Sequence, residues 1–277
     1  MSYRIGVMFT AAGDLAHTLR DLTAIGFAHG QMAIPGTMSI EGVSQDWLRL
    51  LHNAGFTLHT LVGVYKGESY ADIPAVRQTV GFIPVATREE REARSLAIID
   101  LAAEMGIPGF GTHIGFVPED TGSADYTAVL AMVRRIADHA AQRNITFALE
   151  TGQETAQSLL EFLLAVDRPN VGVNFDPANM ILYGTGDPIE ALEIVGPHVI
   201  TVHAKDGIWP PAGTPGSLGT EVPLGEGKVD FPAFLSILRK FGYEGPLFIE
   251  REAKDPQVRL RDMARGKAFL TALSAEV

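Results

Sequence analysis

Cysteine is missing from all 277 residues. That excludes disulfides, thiolate nucleophiles and cysteine-ligated zinc, and it agrees with work in a reducing cytoplasm. Positive charge is in short supply as well. The 22 lysines and arginines face 33 aspartates and glutamates, for a net charge of −11. No basic run of the kind that neutralises phosphates occurs, so nucleic acid is not an expected partner. Long hydrophobic runs are also absent. The apolar run after Arg4 covers only residues 5–9, shorter than a signal-peptide core, and no later stretch can span a bilayer. The expectation is a soluble, unprocessed, cytoplasmic chain with no membrane partner. Two glycine signatures are lacking too: no Gly-x-Gly-x-x-Gly follows the first strand candidate, and there is no Gly-x-x-x-x-Gly-Lys loop. Nicotinamide and nucleotide-triphosphate chemistry lose their usual sequence support.

What is present is enough apolar material, 46% of the chain, to bury a large core. No composition shift divides it, so residues 1–277 are expected to form one domain. Residues 3–9 read as a strand, followed by Leu15, Leu19, Leu22 and Ile25 at helical spacing and a stop at Gly26. A second strand covers residues 30–34, with the polar Gln31 inside it. Ser44 is placed to cap a helix carrying Leu48 and Leu51, and residues 56–62 alternate as a third strand.

Residues 66–86 show no period and contain two glycines and two prolines, the mark of a long excursion of the lid or binding-loop kind. Thr87 and Glu90 have capping-box spacing before a helix whose inner face is read as Leu96, Ile99 and Ala103; its charged opening, residues 88–92, reads as a solvated face. A fourth strand spans residues 109–115, and Val129, Val133, Ile136 and Ala140 stripe the next helix.

From there, apolar runs end in residues that can hold a metal: Phe147-Ala-Leu-Glu150, Val173-Asn-Phe-Asp176, Val199-Ile-Thr-Val-His203 and Leu247-Phe-Ile-Glu250. Helical segments at residues 155–166, from Pro188, at 231–241 and from Pro256 separate and follow them, and a glycine- and proline-rich loop covers residues 207–227. Eight strands alternating with helices predict a closed (β/α)8 TIM barrel, with the four tips together at its carboxyl-terminal face. Three carboxylates and an imidazole form a hard donor set. It suits one Mn2+, Mg2+ or Co2+ ion, and zinc is compatible with the same ligand types.

The segments Ala148-Leu-Glu150, Asn174-Phe-Asp-Pro-Ala-Asn179, Val202-His-Ala-Lys-Asp-Gly207, Leu224-Gly-Glu-Gly-Lys-Val-Asp230, Gly242-Tyr-Glu-Gly245 and Phe248-Ile-Glu-Arg-Glu252 resemble the sugar phosphate isomerase/epimerase family, the xylose-isomerase-like barrel superfamily. The resemblance is carried by residues 145 onward. It implies a divalent metal on Glu150, Asp176, His203 and Glu250. Glu150 and Glu250 are then also the acid–base pair, one removing and the other returning a proton beside a carbonyl that the metal polarises, through an enediolate.

The implied activity is isomerisation or epimerisation of a small sugar, ketose or sugar phosphate. The rivals are a dehydratase of an inositol-derived ketone, an endonuclease IV-like phosphodiesterase and a non-catalytic sugar-binding barrel. The phosphodiesterase pattern departs at Asn179 and Pro232, where further histidine ligands are wanted, although His59, His113 and Asp230 fall at ligand positions. Candidate substrate contacts are His113, His59, Lys205 and Asp206. Gly225 and Gly227 are candidate amide donors to a phosphate. Homo-oligomerisation is left open.

Overall fold

The computed structural model describes residues 3–11 and 13–276. Eight parallel strands close into a barrel in the order β1-β10-β7-β6-β5-β4-β3-β2. They are β1 (Ile5–Thr10), β2 (His29–Ile34), β3 (Thr57–Gly63), β4 (Gly109–Thr112), β5 (Thr146–Glu150), β6 (Val171–Phe175), β7 (Val199–Ala204) and, after a small antiparallel hairpin of β8 (Asp206–Ile208) and β9 (Thr220–Val222), β10 (Leu247–Ile249). Each barrel strand but the last is followed by helical chain that returns it to the same end: α1 (Leu15–Ala24), α2 (Ser44–Ala54), α3 (Ile73–Thr79) with α4 (Arg88–Glu104), α5 (Ala124–Ala141), α6 (Ala156–Val166), α7 (Pro177–Tyr183) with α8 (Pro188–Val195), and α9 (Phe231–Lys240); α10 (Pro256–Glu276) closes the ring. This alternation is the predicted (β/α)8 domain. No described helix is long and apolar enough to cross a membrane.

The helices form where their apolar stripes can be buried. In α5 the predicted Val129, Val133, Ile136 and Ala140 are all buried, and Ser123 caps the helix by accepting the Tyr126 amide proton. Several local expectations are corrected. Ser44 is the first helical residue of α2 rather than its cap. Thr87 makes no capping bond; its hydroxyl donates to Pro84 O instead, and α4 buries Ser95, Ile98, Ile99 and Ala102 while Ala103 faces solvent. The charged opening of α4 is not all solvated. Arg91 is 3% exposed and donates to Thr79 O at 2.7 Å and to Gly81 O, pinning the preceding excursion to the barrel.

That excursion contains α3, and residues 207–227 contain the β8–β9 hairpin, neither of which was anticipated. The two meet above the carboxyl ends of the strands. The Ile73 amide donates to Gly216 O at 3.0 Å. Val76, Val80 and Tyr183, with Ile73, Phe116 and Leu218 against them, form a second apolar cluster separate from the main core. The lids are therefore packed on each other as well as on the barrel.

Candidate metal and substrate site

Alternation along a strand decides what reaches the barrel axis. Glu150 ends β5, Asp176 follows β6, His203 lies in β7 and Glu250 follows β10, so all four tips emerge at the carboxyl-terminal face. One ligand atom from each lies within 4.8 Å of the others. His203 Nδ1 is 3.1 Å from Glu150 Oε1, 3.2 Å from Glu250 Oε2 and 3.8 Å from Asp176 Oδ2. Asp176 also caps α7, taking the Asn179 amide on Oδ1 at 3.0 Å, while a reciprocal pair of bonds to Thr151 fixes its backbone beside β5. Its other oxygen, Oδ2, is buried and accepts no hydrogen bond. A buried carboxylate oxygen without a donor is costly in a site meant to be empty, and it is the acceptor that a cation needs. The donor set fits one divalent ion.

Charge within the cluster is strongly interdependent. Burial opposes ionisation of Glu150, but His113 and His203 outweigh it and hold the carboxyl below its ordinary value. Burial likewise opposes Glu250, and Lys205 and His203 overcome it. Burial dominates at Asp176 and pushes it up, despite Lys205. His203 and Lys205, which burial alone would push down, are raised by the glutamates around them. Glu150 and Glu250 are thus held as carboxylates, the form that can take a proton.

Below the lids, a cavity of about 1050 Å3 opens onto Glu150, Glu250, His113 and Lys205. His113 places Nε2 3.4 Å from Glu150 Oε2, while Gln153 Nε2 lies 3.0 Å from its Nδ1, so the Nε2 edge of the ring faces the glutamate. Lys205 is buried, 3.4 Å from Glu250 Oε2 and 3.3 Å from Asn179 Oδ1, with Glu252 as a further partner. Both of these sequence candidates are brought to the site.

Two others are not. His59 sits near the amino-terminal end of β3, roughly 13 Å along the strand from its carboxyl end at about 3.3 Å per residue. The register shift between β2 and β3 turns it toward His29 Nδ1, 3.2 Å away, and the Phe248 ring, beside a separate cavity of about 270 Å3. Asp206 follows Lys205 and so points the opposite way. Its buried carboxylate accepts the amides of Gly207 (2.9 Å), Gly225 (3.0 Å), Gly227 (2.9 Å) and Val229 (3.1 Å), holding the loop after β7 shut on itself. The amides proposed for a phosphate are therefore already occupied. Asp230 caps α9 by accepting the Ala233 amide, away from the centre.

Sequence reasoning missed Gln31, Gln153 and Tyr70 and gave Asn179 no positive role. Asn179 donates to Glu150 Oε1 at 3.2 Å, and Tyr70 lines the cavity beside His113. Gln31 is fully buried and accepts from His203 Nε2 at 2.7 Å. A lone amide inside the apolar strand His29-Gly-Gln-Met-Ala-Ile34 was the available signal.

A closed parallel barrel with a carboxylate–imidazole cluster at its carboxyl-terminal face, one that could hold a metal ion, defines the class as (β/α)8 barrels with a candidate metal centre. Within it, the model of the xylose isomerase-like TIM barrel family matches residues 19–273, and the chain belongs to that family. A xylose isomerase domain protein from Planctomyces limnophilus is 40% identical, with 100% of this chain and 99% of that one covered and a TM-score of 0.93. A xylose isomerase-like TIM barrel protein from Mycobacterium smegmatis, solved in complex with magnesium, shares the fold at 19% identity, TM-score 0.73, covering 99% of this chain and 97% of that one. A ketose 3-epimerase from Arthrobacter globiformis is 28% identical over 163 residues, 55% of this chain and 52% of that protein. The matches span between 36% and 52% of the curated relatives' lengths.

Proposed function

We propose that this chain is a divalent-metal-dependent isomerase or epimerase of a small, unphosphorylated sugar. The observation that carries the reading is the pair Glu150 and Glu250, which stand three strands apart around the barrel, face one cavity and share one imidazole. Glu150, Asp176, His203 and Glu250 would hold the ion, and their hard donors suit the magnesium found in one structural relative as well as Mn2+ or Co2+. The ion would supply a Lewis acid that polarises a substrate carbonyl and acidifies the neighbouring C–H.

The protein's own groups do the proton work. One glutamate removes the proton from one face of the sugar, giving an enediolate, and the other, supplied with a proton by the His113 or Lys205 beside it, delivers that different proton to the opposite face. His113 Nε2 and the Lys205 ammonium stand beside Glu150 and Glu250 and can donate to substrate hydroxyls as those carboxylates change charge. The lid residues Tyr70 and Leu218 form part of the cavity wall above these groups.

Support for an unphosphorylated substrate comes from the cations that line the cavity. Lys205 is engaged by Glu250 and Glu252, and Arg251 by Glu221 and Asp262. Arg259, also on the cavity wall, has no carboxylate within ion-pair distance among the described residues, so a phosphate would find one free guanidinium, with the Gly225 and Gly227 amides already taken by Asp206. Paired glutamates on the cavity wall favour turnover over simple binding. Dehydration shares the same first proton abstraction and is read out separately.

The test is metal-loaded Glu150→Gln and Glu250→Gln protein against a panel of ketoses and inositol-derived ketones, with sugar interconversion and ultraviolet-absorbing enone followed together. Each variant should retain metal and lose roughly 10²-fold or more of turnover. An epimerase should lose solvent deuterium exchange in one direction per variant. Full turnover and exchange in both variants would refute the reading, and enone formation by the wild type would convert it to a lyase.

A further inference from the structure

A metal-ligating histidine must present a lone pair, and which nitrogen does so is set by what the other nitrogen meets. His203 is fully buried. Its Nδ1 faces the carboxylates of the candidate centre, while Nε2 points back into the barrel toward Gln31 Oε1 at 2.7 Å. An amide can turn over, and a turned Gln31 would offer N–H to Nε2, leaving the ring proton on Nδ1 where the ion belongs. Something must hold the amide in one orientation.

The structure supplies that constraint as a directional chain. Tyr243 donates its hydroxyl proton to Pro246 O at 2.7 Å, so its oxygen is left to accept. Thr201 is a side-chain neighbour of that hydroxyl, and the threonine proton, turned toward an oxygen whose own proton is spent on Pro246, is accepted there. Thr201 Oγ1 can then only accept, and Gln31 Nε2 donates to it at 2.6 Å. With its amide nitrogen so engaged, Gln31 turns its oxygen to His203. Asn174 Nδ2 lies 3.3 Å from Nδ1 and 3.1 Å from Nε2. The two lone-pair directions of an imidazole diverge, so one donor atom cannot serve both, and Asn174 does not decide the tautomer.

We propose that Gln31, oriented through Thr201 and Tyr243, is a positioning residue that commits His203 to the Nε2–H tautomer and aims the Nδ1 lone pair at a bound divalent cation. The proposal rests on the metal-site reading above but not on the identity of the reaction. Gln31 itself touches neither the carboxylates nor the main cavity.

The experiment compares wild type, Gln31→Met, Gln31→Glu and Thr201→Val as folded apo-proteins. Co2+ and Zn2+ affinities are measured by competition with a chromophoric chelator, and the His203 tautomer is read in the zinc form from 15N-histidine NMR. Gln31→Met keeps the volume and removes the acceptor, so affinity should fall by roughly 10–100-fold. Gln31→Glu restores an acceptor to Nε2–H, while its second oxygen needs the Thr201 proton to turn from Tyr243 toward it; it should recover part of the binding, a rescue that a purely space-filling role would not give. The wild-type zinc form should show a protonated Nε2.

Wild-type affinity in Gln31→Met, or a protonated Nδ1 in the zinc-loaded wild type, would overturn the proposal and leave the metal site standing. A wild type that takes up no divalent ion would overturn both. If Gln31→Met fails to fold, the wild-type tautomer together with Thr201→Val decides: mixed tautomers and weakened binding in that variant support the chain, and an unchanged spectrum and affinity refute it.

Discussion

Replacing Asp206 should open the loop that covers the site, and the effect can be worked out bond by bond. Its Oδ1 accepts from Gly207 and Val229, and its Oδ2 from Gly225 and Gly227. Gly207 and Val229 are buried, whereas Gly225 is exposed and Gly227 half-buried. Water can replace the carboxylate at the outer pair but not at the inner one. A hydrogen bond to a charged acceptor contributes about 1.5–3 kcal/mol. Asp206→Ala, which strands the two inner amides, should then cost about 3–6 kcal/mol of local stability. Asp206→Asn keeps one oxygen. Placed toward the inner pair, it leaves an amide NH2 pressed against the Gly225 and Gly227 amides, an intermediate loss of about 1.5–3 kcal/mol.

Native-state hydrogen exchange reads these amides directly. Protection at Val229 should fall by roughly 10²–10⁴-fold in the alanine variant and by less in the asparagine variant. Limited proteolysis within residues 207–229 should follow the same order. Gly227→Ala is an independent check on the same latch, because its Cβ would sit 2.1 Å from Asp206 Oδ1. Protection unchanged in both Asp206 variants would refute the latch and return Asp206 to the list of substrate contacts.

Purified protein should bind one divalent ion per chain, and Asp176→Ala should weaken binding by removing the one centre oxygen that is buried without a donor; unchanged metal content after dialysis would mean a different ligand set. Glu154 gives a pH signature. Burial pushes its carboxyl up to about 8 from 4.5, and its oxygens have no partner beyond their own backbone amide. The folded state therefore keeps a proton that the unfolded chain releases, so stability is highest below the unfolded value and is lost as pH rises toward the folded one. Glu154→Met should remove that loss, gaining on wild type by ~3 kcal/mol more at about pH 8 than at about pH 5 in urea unfolding; a pH-independent difference would refute it.

The order of strands and helices and the four metal-type tips were legible because both are local patterns. An apolar run that ends in a carboxylate or imidazole states its own burial and its own polar end, and parallel strands in a barrel put all such ends on one face. Glu150, Asp176, His203 and Glu250 follow from that alone. The same logic reaches Lys205, two residues beyond His203, by alternation. It also argues against Asp206, whose odd step from His203 turns it outward.

What the pattern does not contain is height along the barrel and partnership across it. His59 reads as a polar residue in a strand, and only the closed sheet, with its register shift against β2, places it near the amino-terminal end beside His29. The lids' own core exists because α3 and the hairpin loop meet over the mouth beside Tyr183 of α7, residues 76 and 218 being more than a hundred positions apart. Gln31 weakened a strand in the sequence. In the folded barrel, 172 residues separate it from the histidine it aligns, and only closure of the sheet brings the two within a hydrogen bond.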